Sequence, residues 1–171
     1  MNSNFQQCLE QVLKSEGGFV DNPNDPGGAT NKRITLAVYQ TFKSNPHLTA
    51  NDLKAISDDD VIAIYKRKYW DVVSGDLLPI GVDYCVFDAA VNSGPGRAAK
   101  WLQGCLNVEQ DGSIGPGTLA AVAAFDRIQL INDYCQRRLA YLQDLDNWQY
   151  FGNGWEKRVN YVKAVAPMMK P

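Results

Sequence analysis

Three residues near the N-terminus have the types and the order to move protons at a polar bond: Glu16, Asp25 nine residues on, and Thr30 five beyond that. The apolar residues Phe5, Cys8, Leu9, Val12 and Leu13 recur at helical spacing, which predicts a helix over about residues 4–16. At about 100° per residue, Glu16 falls about 20° from Phe5 around that helix, within its apolar stripe. A carboxyl there is poorly solvated, and it lies at the helix end that carries partial negative charge. Both effects raise its pKa, which is what a general acid working near neutral pH needs. A hairpin returning toward the helix end would set Asp25 across a cleft from Glu16. Two carboxyls flanking a glycosidic bond are the minimal equipment for glycoside hydrolysis. Spacing alone leaves a second reading open for each. The helix frays by residue 15 and Glu16 turns to solvent, and Asp25 is an ordinary Asp-Pro turn residue.

The elements that would position these groups are mostly helices. Ser3 with Gln6 forms a capping box for the first helix, and Gly17 suits its C-terminal end. Residues 19–34 are rich in Gly, Pro, Asn and Asp, which predicts a loop with a small β-hairpin. "TLAVYQTFK" reads as a helix that stops before Asn45-Pro46. Thr49 with Asp52, and Ser57 with Asp60, cap the next two. The second of these carries Val61, Ile62, Tyr65 and Tyr69. Pro79 opens another helix, with Val82, Cys85, Val86, Ala89 and Ala90 on one face, ending at "NSGPG". "RAAKWLQGCL" follows, then the turn "DGSIGPGT" with Thr118 as a cap. Two longer helices are expected near 118–145 and 155–166, separated by "YFGNG". The sum is a mainly α single domain.

Composition excludes several classes. Lys plus Arg is 17 against 19 for Asp plus Glu, a net charge of −2, which lacks the basic field that nucleic-acid binding needs. Lys66, Arg67 and Lys68 read as a solvated helix face. Apolar residues make up 45% of the 171, enough for a sizeable core. No apolar run reaches the length of a membrane span. The N-terminus has no basic region followed by an apolar one, so the expectation is synthesis in the cytoplasm. Cys8, Cys85, Cys105 and Cys135 are scattered, and with a single histidine, His47, they read as buried free thiols and not as a zinc site. Trp70, Trp101, Trp148 and Trp155 suit either a core or sugar stacking.

The string "EGGFVDNPNDPGGATN" resembles the Glu-Gly-Gly-Tyr signature of glycoside hydrolase family 108, lysozyme-like N-acetylmuramidases, with Phe19 in place of the tyrosine. "YWDVVSGDLLPIGVDYCVFDAAVNSGPGRAAKWLQ" and "DGSIGPGT" extend the resemblance over nearly the whole chain, the latter part being similar to the family's predicted peptidoglycan-binding region. Phage-type lysozymes are similar in having Glu at a helix end, Asp nine residues later and Thr shortly after. Their "FAFNVG" segment resembles "FDAAVNSG", which points to Asn92. One departure is Arg33 in "TNKRIT", where the family has glycine; a positive φ there would strain the hairpin.

The resemblance implies a lysozyme-like fold, with a catalytic lobe over residues 1–75 and a helical, peptidoglycan-binding lobe over 76–171, in one compact unit. It implies Glu16 as catalytic acid, Asp25 as second catalytic carboxylate, and Thr30 and Asn92 as substrate-binding residues. No metal or cofactor is implied. The partner is the peptidoglycan glycan strand, with no nucleic acid and no stable membrane insertion, and a holin or secretion route serves export. Lytic transglycosylation through Glu16, or non-catalytic wall binding, are the rival readings. Asp25 is short and on a loop, which favours a gap of about 6.5–9.5 Å for water and hence inversion, over the about 5–5.5 Å of retaining enzymes. Because the cysteines have no structural pairing role, mild reduction is expected to leave wall lysis unchanged. Loss of turbidity clearing under a mild reductant would contradict this.

Overall fold

Caps and periodicity dictate the smaller half of the molecule almost directly. The computed structural model describes residues 4–15, 17–21 and 28–171. The predicted Ser3 capping box, Glu16 and Asp25 lie outside the described residues. Two units are distinct, Leu9–Arg67 and a larger one of Met1–Cys8 with Lys68–Pro171. Helix α1, Phe5–Lys14, begins in the larger unit and ends in the smaller. It is shorter than the predicted span, because the Ser15 amide bonds back to the Val12 carbonyl at 3.0 Å in a tighter turn.

In the smaller unit, strands β1 (Thr30–Asn31) and β2 (Ile34–Thr35) form the expected hairpin. Helix α2 (Leu36–Lys43) is capped by Thr35, whose side chain accepts from the Val38 amide. Helix α3 (Ala50–Lys54) has the Thr49–Asp52 capping box, and α4 (Asp58–Tyr65) starts at Ser57, which accepts from Asp60. Asp60 in turn joins α4 to α2. It accepts from the Tyr39 hydroxyl at 3.2 Å and the Lys43 ammonium at 3.0 Å. A π-helical turn, Lys66–Trp70, follows α4. Its extra residue shifts the helical frame, so Trp70 is fully buried while Tyr69, expected on the apolar stripe, is half-buried.

In the larger unit, α5 (Val82–Ser93) is buried along ten consecutive residues, 82–91. It turns through Gly94 alone, at φ +90°, into α6 (Pro95–Cys105). Phe5, Trp70 and Phe87 meet with ring centroids 5.4–5.8 Å apart, a range suited to tilted aromatic packing. The predicted 118–145 helix is two: α7 (Pro116–Ala123) and α8 (Arg127–Gln143), broken where Asp126 caps α8 by accepting from the Gln129 amide. Thr118 is not a cap, since Pro116 starts α7 earlier. Its hydroxyl instead accepts from the buried Gln103 amide at 3.2 Å. Gln103 also bonds Asp111 and the Ser113 carbonyl, holding the "DGSIGPGT" turn from within.

Helix α9 (Trp148–Val165) runs straight through "YFGNG". Gly152 is no breaker here: a Cβ at that position would collide with the Trp148 indole one turn earlier. All four cysteines are free, with Cys105 half-buried and the others buried. No helix among the described residues is long and apolar enough to cross a membrane.

One ion cluster joins three of these helices. Asp88 on α5 accepts from Arg138 Nη1 of α8 at 2.6 Å and from Arg158 Nη2 of α9 at 2.9 Å. Burial pushes the Asp88 carboxyl up, but the two guanidiniums outweigh it and hold the group below the usual carboxylate range. A lowered folded pKa means the stabilisation is present above the unfolded value of about 3.9 and is lost as pH falls through the folded value. Asp88→Asn is expected to destabilise the protein by about 3–5 kcal/mol, because the buried Arg138 guanidinium and the partly buried Arg158 lose their counter-charge. Urea unfolding near neutral pH checks the loss. Repeating it down to about pH 2 should show a weaker acid dependence in the variant than in the parent.

Candidate active site

The hairpin is built to hold Thr30 in place. Thr30 exchanges two backbone hydrogen bonds with Val20, each 2.8 Å, and pairs with Thr35 on its other side. Its backbone is thereby fixed from both flanks, while its side chain stays half-buried. Asn31, only 7% exposed, donates from its amide to the Leu53 and Lys54 carbonyls at 3.1 and 3.3 Å. That anchors β1 to the end of α3. Phe19, at the position of the family's tyrosine, stacks under the Lys54 ammonium, 5.6 Å from the ring centroid.

The turn between the strands is Lys32-Arg33, with φ of +47° and +60°. Two successive left-handed residues make the type I′ geometry that a two-residue hairpin requires. Neither residue is of the type that favours it. The turn is clamped instead. The Tyr65 hydroxyl donates to the Lys32 carbonyl at 2.6 Å, and the Lys32 ammonium pairs with Asp58 at 2.9 Å. Arg33 therefore does adopt the positive φ that its departure from glycine made costly, and the hairpin forms nonetheless.

Asn92 is half-buried in the last turn of α5. It belongs to the larger unit, whereas Thr30 belongs to the smaller. Glu16 and Asp25 fall outside the described residues. Sequence reasoning missed Asn31 and Tyr65 as the groups that hold the hairpin. A polar residue at the inward position of β1 was a signal for the first, and nothing local marked the second. Among the described residues, no group of three or more His, Cys, Asp or Glu side chains is clustered for a metal ion.

In the larger unit, a groove of about 710 Å³ runs along α6 and α8, lined by Trp101, Gly104, Arg137 and Tyr141 among others. Trp101 is nearly covered, at 6% exposure, so it serves the core more than the groove. Arg97 stacks on Tyr141, 4.5 Å from the ring centroid.

A helical domain with a short hairpin after its first helix is lysozyme-like in class. Residues 9–94 match the family model described as Glycosyl hydrolase 108, and residues 97–160 the one described as Predicted Peptidoglycan domain. The solved structure of SagA from Brucella abortus is similar over 98% of this chain and 96% of that one, at 42% identity and a TM-score of 0.86. No match was found among curated proteins. The chain belongs to the glycosyl hydrolase 108 family. It is a glycoside hydrolase of the N-acetylmuramidase type, with peptidoglycan as its partner.

Arg33→Gly is expected to stabilise the protein by about 0.5–1 kcal/mol. Removing the left-handed strain exceeds the entropy glycine adds to the unfolded chain. A rise in the urea midpoint at unchanged m-value measures it, and a fall would show that the clamp leaves no strain at this position.

Proposed function

We propose that the enzyme cleaves the β-1,4 bond between N-acetylmuramic acid and N-acetylglucosamine, with Glu16 as the general acid. Glu16 protonates the leaving glycosidic oxygen. Asp25 orients or activates the attacking water, or stabilises the oxocarbenium-like transition state. Thr30 and Asn92 bind the sugar. In this reading residues 1–75 carry the chemistry and residues 76–171 hold the wall.

The observation that supports it most is that Glu16, Asp25, Thr30 and Asn92 all fall inside the glycosyl hydrolase match over residues 9–94. The fixed backbone of Thr30 adds to it. A residue held from both flanks suits a site where a displacement of about 1 Å is costly to catalysis.

Purified cell walls provide the test. Glu16→Gln is expected to lose turbidity clearing by several orders of magnitude with its fold intact. Retention of more than about a tenth of the rate, under 1.4 kcal/mol of barrier, removes Glu16 from the acid role. Product mass decides between hydrolysis and transglycosylation, since a 1,6-anhydro product is one water lighter.

A further inference from the structure

We propose that the N-terminal half of α9 is a stacking platform for the glycan strand, formed by Trp148, Tyr150, Phe151 and Trp155. The proposal rests on the peptidoglycan reading above and adds a binding surface to it.

The apolar stripe of α9 runs through Trp148, Phe151, Trp155, Val159 and Val162 at spacings of three and four. Val159 and Val162 are 1% exposed and seal the core. Toward the N-terminus the cover ends and the stripe does not. Phe151 is 56% exposed, the adjacent Tyr150 76%, and Trp148 and Trp155 are half-buried. The residue type changes at the same point, from branched aliphatic to aromatic. Contiguous apolar surface of this kind marks a binding site more often than chance exposure.

The rings form a connected set. Phe151 and Trp155 lie 5.7 Å apart with planes inclined at 30°, and Trp148 and Trp155 are 6.2 Å apart. Trp148 lies against the helix because Gly152 has no Cβ. A glycine in a helix interior weakens the helix relative to alanine, so the flat seating of this indole is bought at the expense of helix stability.

Charge selects the occupant. From Asp144 to Glu156 the sequence "DLDNWQYFGNGWE" has three acidic residues and no Lys or Arg; of the two cations that directly follow it, Arg158 is held by Asp88, which leaves Lys157 against those three carboxylates. An anionic lipid surface attracts basic segments and is disfavoured here. Uncharged N-acetylhexosamine rings offer apolar faces to the aromatics. The amides of Asn147, Gln149 and Asn153, on the same stretch of chain, supply neutral hydrogen-bonding groups for acetamido and hydroxyl substituents. The platform also lies within the peptidoglycan-domain match over residues 97–160.

The test uses the full chain in a Glu16→Gln background, so that binding is read without turnover. Tyr150→Ala with Phe151→Ala removes the two most exposed rings and is expected to weaken retention on purified sacculi about tenfold or more. Tyr150→Trp with Phe151→Trp is expected to restore it. Independently of any platform variant, N-acetylglucosamine oligomers are expected to protect tryptophan emission from iodide, since Trp70 and Trp101 are already shielded in the core. Unchanged sacculus retention in the alanine variant, or no protection by the oligomers, overturns the proposal. So does loss in that variant of vesicle binding or self-association alone, with sacculus binding intact. Activity remaining in Glu16→Gln would instead count against the catalytic assignment and leave the binding comparison readable by walls pre-chilled to stop turnover.

Discussion

Asp88 is the charge on which the larger unit is organised. Its carboxylate is 1% exposed and meets guanidiniums from two other helices, 50 and 70 residues away in sequence. A single buried carboxylate against two cations leaves a local excess of positive charge, so removing it costs more than removing one hydrogen bond. Within Arg138, Nε and Nη2 have no partner among the described residues, which makes that guanidinium depend on Asp88 still more. The cluster sets α5, α8 and α9 against one another, and with α9 the start of its aromatic stripe. Asp88 also lies four residues before Asn92 on the same helix, so the ion cluster fixes the element that carries a candidate sugar contact.

Close approach between an aromatic ring and a glycine is used twice, to different ends. Trp70 packs over Gly75 and is fully buried, with its indole N–H bonded to Asp76 at 2.9 Å. Trp148 packs over Gly152 and remains half-buried. The local geometry is the same; the difference lies in what covers the ring's other face. Phe5 and Phe87 cover Trp70. At Trp148 the ring neighbour is Trp155, itself only half-buried and in turn beside the exposed Phe151, and the pairing yields a surface.

In the smaller unit, backbone strain and tertiary clamps are balanced against each other. Lys32 and Arg33 hold left-handed conformations that residues with a Cβ disfavour. Tyr65, Asp58 and the carbonyls at the end of α3 hold the hairpin from outside. The result is a hairpin whose shape follows from its anchoring to α3 and α4 more than from its turn residues, and Thr30 inherits that rigidity.

Local physics was legible in the sequence and non-local physics was not. The caps at Thr49 and Ser57 arise from interactions within a few residues, so their types and spacing sufficed, and the run of Gly, Pro, Asn and Asp announced a hairpin after the first helix. Helix α5, expected from Pro79 with one apolar face, instead starts at Val82 and is buried on all sides. Thr30 and Asn92 were legible as candidates through motif resemblance, which gives position in the chain but not surroundings. Gly152 reads as a helix breaker by propensity, and only the indole seated on it makes it a helix residue. Thr118 looked like a cap because the competing start at Pro116 and the amide of Gln103 could not be weighed from spacing. Asp88 looked like any helical aspartate until Arg138 and Arg158 were brought to it from 50 and 70 residues away. Partners so distant are chosen by packing density and by the need to neutralise buried charge, and those constraints exist only once the chain has folded.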